Sequence, residues 1–432
     1  MIRETRGRTF IVIMCGGADR PIRSLGSRTP FEAAATPHLD ALARRGATGL
    51  VRVIDESIPP ESDSGAMALL GYDPLALYTG RGPLEALGMD FWDPDGFSVA
   101  FRVNFASWSP TTGHLDRRTA RDVSDDELAV LVREILEQVT LDGPFAFRLT
   151  GFGRHRGILA ITSRSVPLSG RVANTDPGFT CRGPFGVPVA DPTPEPLPCR
   201  PLVEGDEAAC VTARLVDQFV ERSARVLERS EVNRTRRAAG LLPANVILVR
   251  DGGHVLPAPR PFSDRYGLTL SMYGQVPAEH GLARLLGARF TVARAARGQS
   301  DPEFFAELLP DLLADAADVT FVHLKGPDEP GHDDRPDEKV AAIEEIDAHF
   351  VGPLVSAAGP GDTVVATCDH ATPCELGIHA PDPVPVAVAG PRVTADGTTS
   401  FGERMAASGA LAGWRACEIL PWLRSAATGE AR

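Results

Sequence analysis

Carboxylates and imidazoles gather in one late stretch of this chain. Five of its ten histidines fall between His323 and His379. The segment reads His323-Leu-Lys325-Gly326-Pro-Asp328-Glu-Pro-Gly331-His332-Asp333, then Cys368-Asp369-His370, then His379. Oxygen and nitrogen donors on a rigid frame are what a divalent cation needs. Asp328 and His332 lie four apart, Asp369 and His370 are adjacent, and His379 follows. One such histidine alone would read as structural; two Asp/His pairs and a fifth donor predict metal binding.

A parallel sheet would supply the frame. Thr9 to Met14 (TFIVIM) is a continuous apolar, β-rich run, as in a strand buried on both faces, and it ends at Cys15-Gly16-Gly17. Thr36-Pro37 opens a helix that Gly46 closes. A strand over 49–54 leads into the loop Pro59-Pro60-Glu61-Ser62-Asp63-Ser64 and a short helix ending at Gly71. Late in the chain, Val319 to His323 and Thr363 to Thr367 read as strands, with a helix from Asp337 to Leu354 between them. Strands alternating with helices predict an α/β fold whose functional loops sit at the strands' carboxyl ends.

The middle has a different grammar. Ser124-Asp125-Asp126-Glu127 is a capping box opening a helix whose apolar face is Leu128, Leu131, Val132 and Ile135. The stretch from Asp176 to Arg200 is proline-rich and reads as a long loop, followed by a helix from about Glu207 to Arg229. The simplest division is a core of residues 1–107 and 285–432 interrupted by an inserted α/β cap domain of residues 108–284.

Composition narrows the partners. A net charge of -13 disfavours nucleic acid and anionic membranes. No apolar run approaches the ~20 residues that span a bilayer. The first eight residues carry no secretory signal pattern, and the seven cysteines form no CxxC pair, as in a reduced cytoplasmic protein. A small anionic substrate would therefore be held by local arginine, lysine or metal. An arginine fork matches carboxylate and phosphate alike, and Arg102, Arg117, Arg118, Arg156, Arg234 and Arg250 are the candidates, with Lys325 inside the metal-ligand segment.

The pattern KGxDxxGHD, a strand ending in Asp369-His370, the Thr372-Pro373-Cys374 that follows, and His379 before Asp382-Pro383-Val384-Pro385 resemble the archaeal-type cofactor-independent phosphoglycerate mutases of the alkaline phosphatase superfamily. Gly16-Gly17-Ala18-Asp19-Arg20-Pro21, Thr36-Pro37-His38-Leu39-Asp40, Ser62-Asp63, Leu69-Leu70-Gly71-Tyr72-Asp73-Pro74 and Tyr78-Thr79-Gly80-Arg81-Gly82-Pro83 agree with it. So do the segments around Arg102, Asp116-Arg117-Arg118 and Asn245. The resemblance spans nearly the whole chain. It implies an alkaline-phosphatase-like, mostly parallel sheet core and two divalent metal ions (zinc, manganese or magnesium). It also implies a phosphoserine intermediate and interconversion of 2- and 3-phosphoglycerate. Carried over by position, Asp328, His332 and His379 would hold one metal, and Asp369, His370 and the nucleophile Ser62 the other. Asp116 joins Arg117 and Arg118 among the substrate-binding residues. From the residues alone Ser62 reads as a helix N-cap, a role for which Ser64 is the second candidate.

Three segments depart from the family, one being Glu61 and Ser64-Gly65 around Ser62-Asp63, where the family carries Gly-Ser-Asp-Val/Thr-Ala. Where it carries Asp-Gly at the end of the first strand, this chain has Cys15-Gly16. A thiolate suits zinc better than manganese or magnesium, which leaves open a site shifted toward zinc, a one-metal enzyme, a weakened site, or a buried inert cysteine. The stretch Ser271 to His280 also differs. Beside the mutase stand two other readings: a phosphohydrolase of another small phosphate or phosphonate, and a non-catalytic binding protein.

Overall fold

The computed structural model describes residues 7–428, so the first six residues, where no secretory signal was read, lie outside it. The chain divides into two compact units, one joining Met1–Leu77 to Ala258–Arg432 and the other Tyr78–Pro257.

In the first unit, seven strands of the described residues form a sheet in the order Arg289–Val292, Leu270–Gly274, Val319–Leu324, Thr9–Met14, Thr363–Thr367, Val384–Ala389, Ala47–Val51. The first five are parallel, and Val384–Ala389 runs antiparallel to both of its neighbours. Thr9–Met14 is central and buried from Phe10 onward, as its unbroken apolar run requires. The mixed α/β class with a mostly parallel sheet is as the sequence predicts. Pro37–Arg45 forms the predicted helix with Gly46 at its end, but Thr36 gives its side chain no capping role. The amides of His38 and Leu39 donate instead to the Asp347 carboxylate at 3.1 and 2.7 Å. Asp347 opens a π-helical turn, Asp347–Val351, which interrupts the helix predicted to run unbroken from Asp337 to Leu354.

The second unit is built on a five-stranded antiparallel sheet. Its longest strand, Phe97–Ser109, pairs with Arg156–Ser163 on one side and Val246–Gly253 on the other. The helices Asp125–Gln138 and Glu207–Arg229 contribute Leu131, Ile135 and Phe219 to a core shared with Phe101 and Phe105 of that strand. Ser124 and Glu127 make the predicted capping box, and the four apolar positions named for its helix are buried. The proline-rich stretch is not all loop, because Phe179–Arg182 and Phe185–Pro188 pair as a small hairpin.

The division falls at other places than expected. A cap of residues 108–284 would cut the strand Phe97–Ser109 in two, although every ladder it makes is to strands of the Tyr78–Pro257 unit. Conversely, Leu270–Gly274 lies beside Val319–Leu324 in the parallel sheet, Leu270 opposite Val319. Ladder pairing, which decides these assignments, joins residues too far apart in sequence for local pattern to reveal.

Candidate active site

The donors converge at the carboxyl ends of three adjacent strands. Thr9–Met14 ends at Cys15, Val319–Leu324 at Lys325, and Thr363–Thr367 runs through Cys368 to Asp369 and His370. Cys15, Asp369 and His370 are wholly buried. The five-residue helix Asp328–His332 brings the two ends of the Asp-x-x-x-His spacing onto one face, with His332 Nε2 3.5 Å from Asp328 Oδ1. His379 Nε2 approaches the same oxygen at 3.6 Å, and the His379 ring stacks on His370 with centroids 3.8 Å apart.

Ser62 arrives from the other side of the sheet order. It is the first residue of the helix Ser62–Leu69, and Glu61, not Ser62, is the N-cap. The cap is closed by Ser64, whose hydroxyl accepts from the Glu61 amide and donates to the Glu61 carbonyl, each at 3.0 Å. The Ser62 hydroxyl therefore faces the donors, 3.5 Å from His370 Nε2, 3.7 Å from Cys15 Sγ and 3.3 Å from Lys325 Nζ. Gly65 is required behind it, because a Cβ there would stand 2.5 Å from the Asp369 carbonyl oxygen.

Two donor groups follow from these positions: Cys15 with Asp369 and His370, and Asp328 with His370 and His379. In each the donor atoms lie within 4.8 Å of one another. Carboxylate, imidazole and thiolate donors around a buried point fit a divalent cation, and His370 belongs to both groups. His332 stands at the edge of the second, its Nδ1 turned to the Gly377 carbonyl at 2.8 Å and its Nε2 toward Asp328. Burial drives His370 down to about 3, keeping its lone pair free. Burial opposes protonation of His379 too, but the Glu61 and Asp328 carboxylates outweigh it and raise that group to about 10. Burial acts to raise Asp328 and Asp369, but His332 and His379 at the one and His323 and Lys325 at the other hold both well below the usual carboxylate range.

Several residues of the site carry no motif. Oδ1 of Asp369 accepts from the amides of Gly16 and His370 at 3.0 and 3.1 Å. Its Oδ2 lies 3.0 Å from His323 Nε2, while His323 Nδ1 contacts the Glu279 carboxylate. Glu279 comes from the stretch of residues 271–280 that departs from the family pattern, and its second oxygen accepts from Gln275 and Val276 amides at 2.7 and 3.1 Å. Thr372 links the two groups, donating to Asp328 Oδ1 at 2.8 Å and lying 3.1 Å from His370 Nδ1. A glutamate at the third position of a helix reads as part of a cap, so sequence alone gives Glu279 no other role.

The arginines named from sequence lie in the Tyr78–Pro257 unit. Arg117 grips Asp176 through two bonds, 2.5 and 3.0 Å, and its guanidinium and that of Arg250 both lie over the Phe179 ring. Arg102 is buried against Glu85, which Arg81 also contacts. Burial pushes the Arg102 guanidinium down, as do Arg81, Arg156 and Arg250, while Glu85 opposes them. His155 falls to about 2 through burial and the charges of Arg156, Arg118, Arg102 and Arg121. Asp116 is half-buried and accepts from the Arg118 amide at 2.9 Å. Arg156 and Arg234 are exposed, and Arg234, on the helix Glu231–Ala238, pairs with Glu231 of its own turn.

The profile described as 2,3-bisphosphoglycerate-independent phosphoglycerate mutase matches residues 43–233. The enzyme of that name from Aeropyrum pernix is 38% identical over 392 residues, covering 88% of this chain and 90% of its own. A solved structure of a Pyrococcus horikoshii protein covers 99% of both chains at 27% identity with a TM-score of 0.76. The cofactor-independent phosphoglycerate mutase of Thermoplasma acidophilum covers 96% of this chain and 100% of its own at 28% identity, with a TM-score of 0.56. No described helix is long and apolar enough to cross a membrane. By sequence across nearly its whole length, this chain belongs to the 2,3-bisphosphoglycerate-independent phosphoglycerate mutases.

Proposed function

We propose that this protein interconverts 2- and 3-phosphoglycerate through a phosphoserine at Ser62. The observation that carries the reading is the placement of one hydroxyl, freed of capping by Ser64, between two groups of cation donors and a lysine.

Asp328, His332 and His379 would hold one divalent cation, with His370 close enough to share it. Asp369, His370 and Ser62 would hold the other. Such cations favour the serine alkoxide and offset charge on the phosphoryl oxygens. In the first half-reaction Ser62 Oγ attacks phosphorus, and its proton ends on the glycerate oxygen that leaves. The P–Oγ bond forms as the bond to one glycerate oxygen breaks. In the second the other glycerate hydroxyl attacks phosphorus, the P–Oγ bond breaks, and that hydroxyl's proton returns to Ser62 Oγ, which restores the serine. Lys325 Nζ, 3.3 Å from Ser62 Oγ, is placed to meet a phosphoryl oxygen at both stages. The helix N-terminus at Ser62 adds its dipole to the same end. By the family resemblance, Arg102, Arg117, Arg118, Arg156 and Arg250 would supply cationic contacts to substrate and Asp116 an acceptor. Arg234, held by Glu231 on its own helix, is left out of that set.

The test is a brief incubation of divalent-cation-loaded protein with 3-phosphoglycerate, acid quench and peptide mass analysis. Phosphate on Ser62 together with 2-phosphoglycerate formation is expected. Label on Ser64 or His379 would overturn the assignment of the nucleophile. Release of inorganic phosphate without 2-phosphoglycerate would replace the mutase by a phosphohydrolase.

A further inference from the structure

The thiol of Cys15 is embedded among polar groups. Its sulfur lies 2.8 Å from Lys325 Nζ, 3.5 Å from Asp369 Oδ2, 3.7 Å from Ser62 Oγ and 3.8 Å from His370 Nε2. A cysteine that merely fills volume is placed against apolar side chains. Here the strand end fixes it, with the Cys15 amide donating to the Leu324 carbonyl at 2.9 Å.

The other donors of the group are held so that one atom of each faces the sulfur. Asp369 Oδ1 is taken up by two backbone amides, and Oδ2 faces Cys15. His370 Nδ1 is occupied by Thr372 Oγ1, and Nε2 faces Cys15 and Ser62. Glu279 braces His323 against the same Asp369 Oδ2. Partners that fix the non-ligating atom are the usual supports of a metal ligand.

We propose that Cys15, Asp369 and His370 form a thiolate-containing cation site that selects zinc-class ions over magnesium and manganese. This rests on the reading above that Asp369 and His370 hold the second cation, and adds its sulfur ligand and its preference. Thiolate is a soft donor that binds zinc and cobalt strongly, whereas magnesium and manganese favour oxygen. Forming the metal–sulfur bond releases the thiol proton to solvent, and the thiolate charge partly balances the Lys325 ammonium beside it.

Cobalt(II) supplies the readout, since a thiolate ligand gives it an intense near-ultraviolet charge-transfer band. The full chain is stripped of metal, titrated with cobalt(II), and analysed for bound metal alongside Cys15→Ser, Cys15→Asp and Asp328→Ala. Expected are two cobalt ions per native chain with the band, the band lost in both Cys15 variants, and the band kept in Asp328→Ala. Zinc-over-manganese preference measured by competition should fall at least about tenfold in Cys15→Asp. That variant keeps an anionic donor, so it also covers the case in which Cys15→Ser does not fold. Two cobalt ions without the band, or a band that survives in Cys15→Asp, would overturn the sulfur ligand and leave the two-cation mutase standing. Failure of the native chain to bind a second cobalt would overturn both.

Discussion

Ser64 closes the helix cap on Glu61, donating to its carbonyl and accepting from its amide at 3.0 Å in each case. The neighbouring Ser62 is thereby relieved of the role its position suggests. Ser64→Ala should cost about 1 kcal/mol of stability, the usual loss of a cap, and leave a measurable mutase rate. Ser62→Ala should leave the thermal midpoint near native and lower the mutase rate by about a thousandfold or more. Thermal melts and rates of the two variants side by side make the distinction; the reverse pattern would sink it.

Asp328 is the only carboxylate in its donor group. Asp328→Ala should remove about one divalent ion per chain and most activity, because an anionic ligand also fixes the position of the cation. Chelation of native protein should lower its thermal midpoint, since a cation bound only by the folded state stabilises it. Metal analysis with unchanged stoichiometry in the variant would defeat the assignment.

Glu279 touches no substrate in this reading and acts through His323 on Asp369. Glu279→Gln retains an oxygen for the Gln275 and Val276 amides but offers His323 a weaker, uncharged partner. Affinity for the second cation should fall about 10- to 100-fold. At saturating cation kcat should recover in large part, with KM for phosphoglycerate little changed. A merely structural role would instead lower the thermal midpoint without moving cation affinity.

Asp396 accepts from the amides of Thr48, Ala410 and Thr398 at 2.7, 2.9 and 3.1 Å, tying the strand Ala47–Val51 to two loops. Partial burial acts to raise this carboxyl, but these bonds win and lower it from 3.8 to about 2. The stabilisation is therefore complete above the unfolded value and is lost as pH falls through the folded one. Asp396→Ala should cost about 2 kcal/mol near neutrality, as for hydrogen bonds to a charged group. The gap in thermal midpoint between native and variant should narrow as pH falls from 3.8 toward 2. A gap constant across that range would refute the ionic origin.

Much of this site can be read from sequence because its donors follow strands that announce themselves. The apolar run Thr9–Met14 and the strand Thr363–Thr367 place Cys15 and Asp369 at their ends with no help from tertiary contacts. The spacing of Asp328 and His332 carries its own geometry. Glu279 is different, since its partner His323 belongs to another strand-and-helix unit and only sheet order brings the two together. The limits of the inserted unit were hidden likewise: Phe97–Ser109 looks like a core strand until its three ladder partners are known. Asp347 serving as the cap of Pro37–Arg45 is a third case, a local role filled by a distant residue.

The central strand Thr9–Met14 is made before every other strand of its sheet and must wait for both of its neighbours. Thr9 stands opposite Val319 and Thr363, both made only after Tyr78–Pro257 has been completed. A unit whose strands pair among themselves can close during synthesis, whereas long-range parallel pairing is slow. The apolar run of the first strand must therefore wait with both edges open, the state most exposed to misassembly and to chaperone capture. The same order governs chemistry. Ser62 precedes the inserted unit, and Lys325, Asp328, Asp369, His370 and His379 follow it. A nascent chain therefore brings these donors to Ser62 only after the whole of Tyr78–Pro257 has been made.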